Sequence, residues 1–287
     1  MKSFEYFEPK TVAETTQLLS NYGKKARILA GGVDLIPRMR KDVIKAEYIV
    51  SIQRISGLDY IKTQGKQGLR FGAMTKLYSV ETSEAVQSTY PILYDAIHQI
   101  TSVQAKHMGT AVGNLCVATP ASDVATALIA FGAELRIAGA KGQRKEPIEK
   151  FYRDHHRTSL QRDEMVTEVF LPTPPRGMNS AFLNLVRTHA DIAKVSVAVA
   201  IIVRDGICRE ARIVIGAVAP TVFRAAKAEA LLKGQRITHP IISKAAETAA
   251  GETRPVTDLR STAEYRKEMA KVLVGRALGK ALREAKI

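Results

Sequence analysis

Met108-Gly109-Thr110-Ala111-Val112-Gly113-Asn114-Leu115-Cys116-Val117-Ala118-Thr119-Pro120-Ala121-Ser122-Asp123 is the stretch on which the reading of this chain turns. It is built of small side chains, hydroxyls and glycines. Such a composition lets backbone amides and short polar groups wrap a diphosphate and the hydroxyls of a ribityl or ribose chain. It also lies in Thr101 to Ala121, the longest weakly periodic stretch of the first half, and long ordered loops are usually functional. Asp123 has two readings from the residues alone. It accepts from a sugar hydroxyl, or it simply caps the helix that follows.

A second small-residue stretch stands upstream, Leu29-Ala30-Gly31-Gly32-Val33-Asp34-Leu35. Two glycines directly after a strand let main-chain N–H groups approach an anion without Cβ interference. Taken alone, a Gly-Gly turn is also an ordinary structural device. The stretch is not a Rossmann fingerprint, because no GxGxxG and no suitably placed acid accompany it, and it is not a Walker loop, because no GK[ST] follows.

Working outward, Thr11 and Glu14 form a capping-box pattern opening a helix that ends near Gly23. Ala26 to Gly32, Glu47 to Ile52, Leu69 to Ala73 and Glu134 to Gly139 read as strands, whereas Thr75 to Glu84 and Tyr90 to Ile100 read as helices. Asp123 opens a helix that ends at Gly132. Leu171 to Asn179 has linker composition. Three strand-like runs follow, SAFLNLVR, SVAVAIIVRDG and ICREARIVIGAV, with Asp205-Gly206 as a hairpin turn. Three helices close the chain: one over Arg224 to Gly234, one from Thr238 to Gly251, and a long one opened by Ser261 and Glu264 and running to about Ala285. Strands followed by helices predict an α+β class with an antiparallel sheet.

The chain has 287 residues, 43 Lys and Arg against 28 Asp and Glu, and two cysteines. Cys116 and Cys208 cannot make a disulfide framework, so a reducing compartment is expected, and they cannot supply the four thiolates of an iron–sulfur cluster or a structural zinc site. No apolar run reaches the length of a membrane span, and the N-terminus has no signal-peptide pattern, so a cytoplasmic protein is expected. The net charge of +15 suggests acidic partners. A nucleic-acid module is disfavoured, since the charge is dispersed, tryptophan is absent and aromatics are 6%. The densest basic run is the last helix, with Arg266, Lys267, Lys271, Arg276, Lys280, Arg283 and Lys286, read as a solvated face or as a docking surface for an acidic partner. His155 and His156 read as a solvated pair, His98 and His107 as flanking residues with no supported role as a base, and Cys116 as a small buried side chain.

Together the two glycine stretches resemble the FAD-binding medium subunit of the molybdenum hydroxylases, the xanthine dehydrogenase and aerobic carbon monoxide dehydrogenase family. AGGVDL at 30–35 is similar to that family's AGG(H/T/Q)(S/D)L segment, and TAVGNLCVATPASD at 110–123 to its TIGGNL segment. FEYFEPKTVAE near the start, and DIAKVSVAV, APTVFRAAKAEALLKG and DLRSTAEYRKEMAKVLVGRAL further on, extend the resemblance over essentially the whole chain. The resemblance implies the FAD-binding fold shared with vanillyl-alcohol oxidase, two α+β subdomains over 1–175 split near 55–60, followed by a C-terminal α+β domain with a three-stranded antiparallel sheet over 176–287. It implies FAD on this chain, and [2Fe–2S] clusters and molybdopterin on a small and a large partner subunit in a dimer of heterotrimers. This chain would then pass electrons to NAD, a quinone or oxygen. No side chain need act as acid or base, and the substrate belongs to the large subunit. A stand-alone flavin oxidoreductase of the same fold is the alternative.

Carried onto this sequence, the resemblance makes Leu29, Ala30, Gly31, Gly32, Val33, Asp34 and Leu35 one wall for the diphosphate, and Gly109, Thr110, Ala111, Gly113 and Asn114 the other. Ser122 and Asp123 would meet a sugar-like chain, and Ile100, Thr101, Met165 and Val166 would line the cofactor. Three departures stand out. Val112 replaces a family glycine, Leu183 stands where many relatives carry a lysine while Arg187 keeps a basic position, and a cysteine-rich insertion found in some relatives is missing.

Overall fold

The computed structural model describes residues 2–284. Its first layer is a parallel three-stranded sheet, β1 (Glu5–Phe7), β2 (Ala26–Leu29) and β3 (Tyr48–Ser51), in the order β1-β3-β2. Helix α1 (Val12–Tyr22) is capped by Thr11, whose hydroxyl accepts from the Glu14 amide at 3.1 Å, and it lies on this sheet with Leu19 buried. The ring of Tyr22 stacks on that of Tyr48, 3.9 Å between centroids. The glycine turn leaves β2 and enters α2 (Leu35–Arg40).

The second layer is a five-stranded sheet. Strands β4 (Ile61–Thr63), β5 (Gly68–Gly72), β6 (Glu134–Gly139) and β7 (Gly142–Pro147) are followed in the chain by a small hairpin, β8 (Tyr152–Asp154) and β9 (Arg157–Thr158), and then by β10 (Met165–Pro172); the sheet order is β4-β5-β10-β6-β7. Leu69, Phe71, Leu135, Ile137, Val169 and Leu171 are buried on one face, the period of two expected when one side of a sheet meets a core. The core on that face also takes in residues of α3 (Leu77–Glu81), α4 (Glu84–Thr89), α5 (Pro91–His98), α7 (Ala111–Cys116), α8 (Asp123–Ala130) and α9 (Ile148–Phe151), while α6 (Val103–Met108) lies against α3.

The stretch 101–121, expected as a loop, holds two of these helices. Ser102 caps α6 and Thr110 caps α7, each hydroxyl accepting from the amide three residues on. Six residues make under two turns, too short for a 3.6-residue period to show in the sequence. Asp123 is not a cap. Ser122 fills that position, accepting from the Ala125 amide at 3.0 Å, so the Asp123 carboxyl has no capping role.

The C-terminal part is an antiparallel sheet, β11 (Met178–Leu185), β12 (Val195–Arg204), β13 (Ile207–Gly216) and a two-residue edge strand β14 (Phe223–Arg224) beyond the three expected. Asp205 and Gly206 both have positive φ, +55° and +74°, the type I′ hairpin geometry. Helices α10 (Ala226–Leu232), α11 (His239–Gly251) and α12 (Ala263–Glu284) cover one face. The other face meets the first part of the molecule. Val195, Val197, Val199 and Ile201 join the C-terminal core, whereas Ala198 and Val214 join the N-terminal one. Burial on both faces explains the continuous apolar run of β12, with each fully buried Val or Ile contributing about 1.5–3 kcal/mol.

Two expectations for the last helix change. Thr262, not Ser261, accepts from the amide three residues on (Tyr265, 3.2 Å), while the Ser261 amide is taken by Asp258. Arg266 is not part of a solvated basic face. It is buried and donates to the carbonyls of Lys194 and Ala217 and to the Asp258 carboxylate, pinning α12 to the sheet. Ala285 and Lys286 lie outside the described residues. Among the described residues no helix is long and apolar enough to cross a membrane, and no group of three or more metal-ligating side chains is found.

Candidate functional site

The two glycine turns touch. A Cβ placed on Gly31 would stand 2.1 Å from the Met108 carbonyl oxygen and 2.9 Å from Gly109 Cα, so no side chain fits there. Gly32 takes φ +74°, a left-handed conformation that suits glycine. The Gly109 turn is stitched to the start of α3: the Leu77 amide donates to the Gly109 carbonyl, the Ala111 amide donates to the Thr75 carbonyl, each at 3.0 Å, and Lys76 Nζ donates to the Met108 carbonyl. On the other side Gln53 Nε2 donates to the Ala30 carbonyl at 2.7 Å.

This scaffold leaves donors open. Among the described residues, the main-chain N–H groups of Gly31, Gly32, Val33 and Asp34 have no protein acceptor. Consecutive unpaired amides must be satisfied from outside the chain, and their shape suits an anion. Asp34 does not cap α2. Its carboxylate turns to Arg38 at 3.3 Å instead.

The second turn spends its polar groups differently. The Thr110 hydroxyl is occupied by the Gly113 amide at 2.9 Å, and a Cβ on Gly113 would fall 2.6 Å from that oxygen. Val112 stands inside α7 with ordinary helical dihedrals, and its side chain is buried in the core. Asn114 Oδ1 accepts from the Ser122 hydroxyl at 2.6 Å, while its amide nitrogen has no protein acceptor among the described residues. Beyond it lies Asp123, half-buried. Its Oδ2 accepts from Asn184 Nδ2 at 3.0 Å, but its Oδ1 is fully covered without a partner. Desolvation pushes this carboxyl up to about 6 against the hydrogen bonds that favour its charge.

Cys116, expected as a small buried side chain, is exposed, and desolvation of its thiol pushes it up to about 12. The Tyr152 hydroxyl is buried without a partner, and burial raises its pKa well above the usual range. The β8–β9 hairpin is clipped over α7: the His156 amide donates to the Ala118 carbonyl at 2.9 Å, and His156 Nδ1 donates to the Val117 carbonyl at 2.7 Å. His155 and His156 are exposed, as expected, but His156 is also a clamp.

The other expected positions divide. Ile100 is half-buried and Thr101 exposed at the turn into α6, with no hydrogen bond to either glycine turn. Met165 and Val166 are sealed in the core at 1% and 3% exposure, so only their main chain has any surface to offer a ligand. His98 and His107 are engaged elsewhere. His98 Nδ1 meets Glu81, which also holds Lys106 Nζ at 2.8 Å, and the His107 ring stacks on Tyr78.

Asn184 was not anticipated. The pleat sends Leu183 into the C-terminal core, and Asn184, one residue on, to the opposite face and Asp123. A polar residue interrupting the apolar strand AFLNL was the available signal. Arg187 pairs with Asp191 at 2.5 Å, which holds the Asp191 carboxyl down at about 2.

A backbone nest of open amides that meets a second glycine turn, with one carboxylate oxygen of Asp123 left unpaired further along that second stretch, has the makings of a nucleotide-cofactor site. The model of the FAD binding domain in molybdopterin dehydrogenase matches residues 2–174, and that of the CO dehydrogenase flavoprotein C-terminal domain matches 180–281. The chain belongs to this family of FAD-binding chains of the molybdopterin dehydrogenases. It is 32% identical over 284 residues to the carbon monoxide dehydrogenase medium chain of Afipia carboxidovorans, covering 99% of this chain and 98% of that one. It is 31% identical to the 6-hydroxypseudooxynicotine dehydrogenase complex subunit alpha of Paenarthrobacter nicotinovorans, covering 99% and 96%. A solved carbon monoxide dehydrogenase from Hydrogenophaga pseudoflava, which lacks the Mo-pyranopterin moiety of its cofactor, superposes with a TM-score of 0.95 at 33% identity over 98% of both chains. The chain is thus an oxidoreductase subunit that carries an FAD-binding domain.

Proposed function

We propose that this chain is the electron-transfer subunit of a molybdenum hydroxylase, taking electrons from [2Fe–2S] clusters of a small partner subunit and delivering them to an external acceptor such as NAD, a quinone or oxygen. The observation that carries the reading is the contact of Gly31 with Met108 and Gly109, beside which the Gly31–Asp34 amides stand open. Those amides hold the FAD diphosphate from one side. Gly109, Thr110, Ala111, Gly113 and Asn114 close the other side, mainly by shape and by the free Asn114 amide. Asp123 Oδ1 accepts from a sugar-type hydroxyl, with Ser122 and Asn114 fixing the approach. Leu29, Ala30, Val33 and Leu35 hold the turn's frame, Ile100 and Thr101 border the cofactor, and Met165 and Val166 contribute main chain.

The bound flavin supplies the exchange between one-electron and two-electron chemistry. The protein's own residues bind, orient and exclude water, and no side chain of the site transfers a proton. The domain division follows, with a FAD-binding domain over 1–175, split near 55–60, and a C-terminal domain over 176–287. Partners are a small iron–sulfur and a large molybdopterin subunit in a dimer of heterotrimers in the cytoplasm. The test is to desalt the full chain after saturation with FAD. A retained flavin absorption band, reduced in the assembled complex when the complex's substrate is added, supports the reading. A flavin-free chain that stays flavin-free in the assembled complex overturns it.

A further inference from the structure

Asp123 opens α8 in the N-terminal part, yet the groups that orient it come from the C-terminal sheet. Asn184 on β11 donates Nδ2 to Asp123 Oδ2 at 3.0 Å. Ser196, its register partner on β12, also bears on the same carboxyl. Among the described residues no ion pair reaches Asp123, so the carboxyl is set by these neutral groups and by burial. The connection between the two parts is reinforced close by, where the Ala217 amide donates to the Pro120 carbonyl at 2.6 Å. One oxygen is thereby fixed while the other, covered and partnerless, is left without an acceptor's duty. A covered carboxylate oxygen with no donor is costly, and a ligand hydroxyl would remove that cost.

We infer that Asn184 is a positioning residue of the cofactor site: reaching across from the C-terminal domain, its side-chain amide fixes Asp123 so that the free carboxylate oxygen is offered to a hydroxyl of the bound flavin nucleotide. This rests on the reading of Asp123 as a cofactor contact. Asn184 itself touches Asp123 and need not touch the cofactor. The C-terminal domain therefore tunes flavin affinity without lending a ligand of its own.

The experiment uses the full chain and reads FAD affinity from the quench of flavin fluorescence between pH 5 and 8, together with the melting temperature of the flavin-free protein. Asn184→Ala is expected to weaken FAD about tenfold at pH 7, the order of one lost hydrogen bond to a charged group. Asn184→Asp places a second carboxyl beside Asp123, and two such groups share a proton. Its affinity is expected to fall as pH rises and the shared proton is lost, whereas that of the wild type, whose Asp123 gains charge as an acceptor, is not. Leu183→Ala, on the opposite face, is expected to lower the melting temperature and leave the pH profile of FAD affinity unchanged. Wild-type affinity and an unaltered pH profile in both Asn184 variants would overturn the inference while leaving FAD binding intact. A wild-type chain that binds no FAD would overturn the reading of Asp123 itself, and this inference with it.

Discussion

The two turns that meet at Gly31 and Gly109 are both rich in small residues, but they dispose of their polar groups in opposite ways. The turn at 31–34 keeps its amides unpaired because α2, which follows it, uses only its carbonyls: the Ile36 amide takes the Gly32 carbonyl and the Arg38 amide takes that of Asp34. The stretch 110–123 consumes its own hydroxyls in caps at Thr110 and Ser122 and is left with a spare amide at Asn114 and a spare carboxylate oxygen at Asp123. One turn presents donors and the other presents an acceptor. A dinucleotide needs both, donors for its phosphates and acceptors for its hydroxyls. The lesson is that equal composition does not mean equal chemistry; what the neighbouring elements leave unpaired decides it.

The largest effect is expected from Gly31→Val. Its Cβ would overlap the Met108 carbonyl, so the two turns must separate. Overpacking of that kind costs about 3 kcal/mol, visible as a lower melting temperature, and FAD affinity should fall by more than about a hundredfold. Unchanged affinity would mean that the turns need not meet.

Asp123→Asn comes next and sharpens the contrast by removing the acceptor's charge. The Asp123 carboxyl is raised to about 6 by burial. A raised carboxyl contributes stability that is fully present below its unfolded pKa and is lost as pH climbs through the folded value. Flavin-free wild type should therefore lose stability between about pH 4 and 7, by about 2–3 kcal/mol on a one-unit scale of about 1.4 kcal/mol. The Asn variant should show a flat profile over that window in urea melts, and weaker FAD binding. An equally sloped profile would place the titration on another group.

A smaller effect is expected at Val112. In α7 it is core rather than turn, so Val112→Gly should cost about 1–3 kcal/mol from lost burial and helix entropy, with FAD affinity little changed. A gain in affinity would show that the position belongs to the cofactor wall. Smallest of all is Cys116→Ser. The thiol is raised by desolvation and stays neutral, and the substitution should shift stability by about 0.5 kcal/mol or less and leave the flavin potential unmoved in a redox titration.

Much of this was legible in the chain itself. The Asp205-Gly206 hairpin, the apolar run of β12 and the two glycine turns all state their structure through local chemistry. What escaped detection was either too short or too distant. Helices α6 and α7 span six residues each, under two turns, too few for a helical period to show. Which of Ser122 and Asp123 caps α8 is a matter of one residue, and the spacing to the helix interior does not decide it. The tie from Asn184 to Asp123 joins residues 61 apart in sequence, so only the folded sheet brings them together. Arg266 read as surface charge because a buried arginine with three oxygen partners has no local signature.

The central claim is that open amides at 31–34 grip the paired phosphates, and the comparison of FAD with riboflavin tests it most directly. Riboflavin keeps the ring and the ribityl chain but has no phosphate. With the full chain, binding measured by fluorescence quench should be tighter for FAD by more than about a thousandfold, or about 4 kcal/mol, and the amide resonances of Gly31, Gly32, Val33 and Asp34 should shift with FAD alone. Equal affinity for the two flavins, with those resonances unmoved, would contradict it.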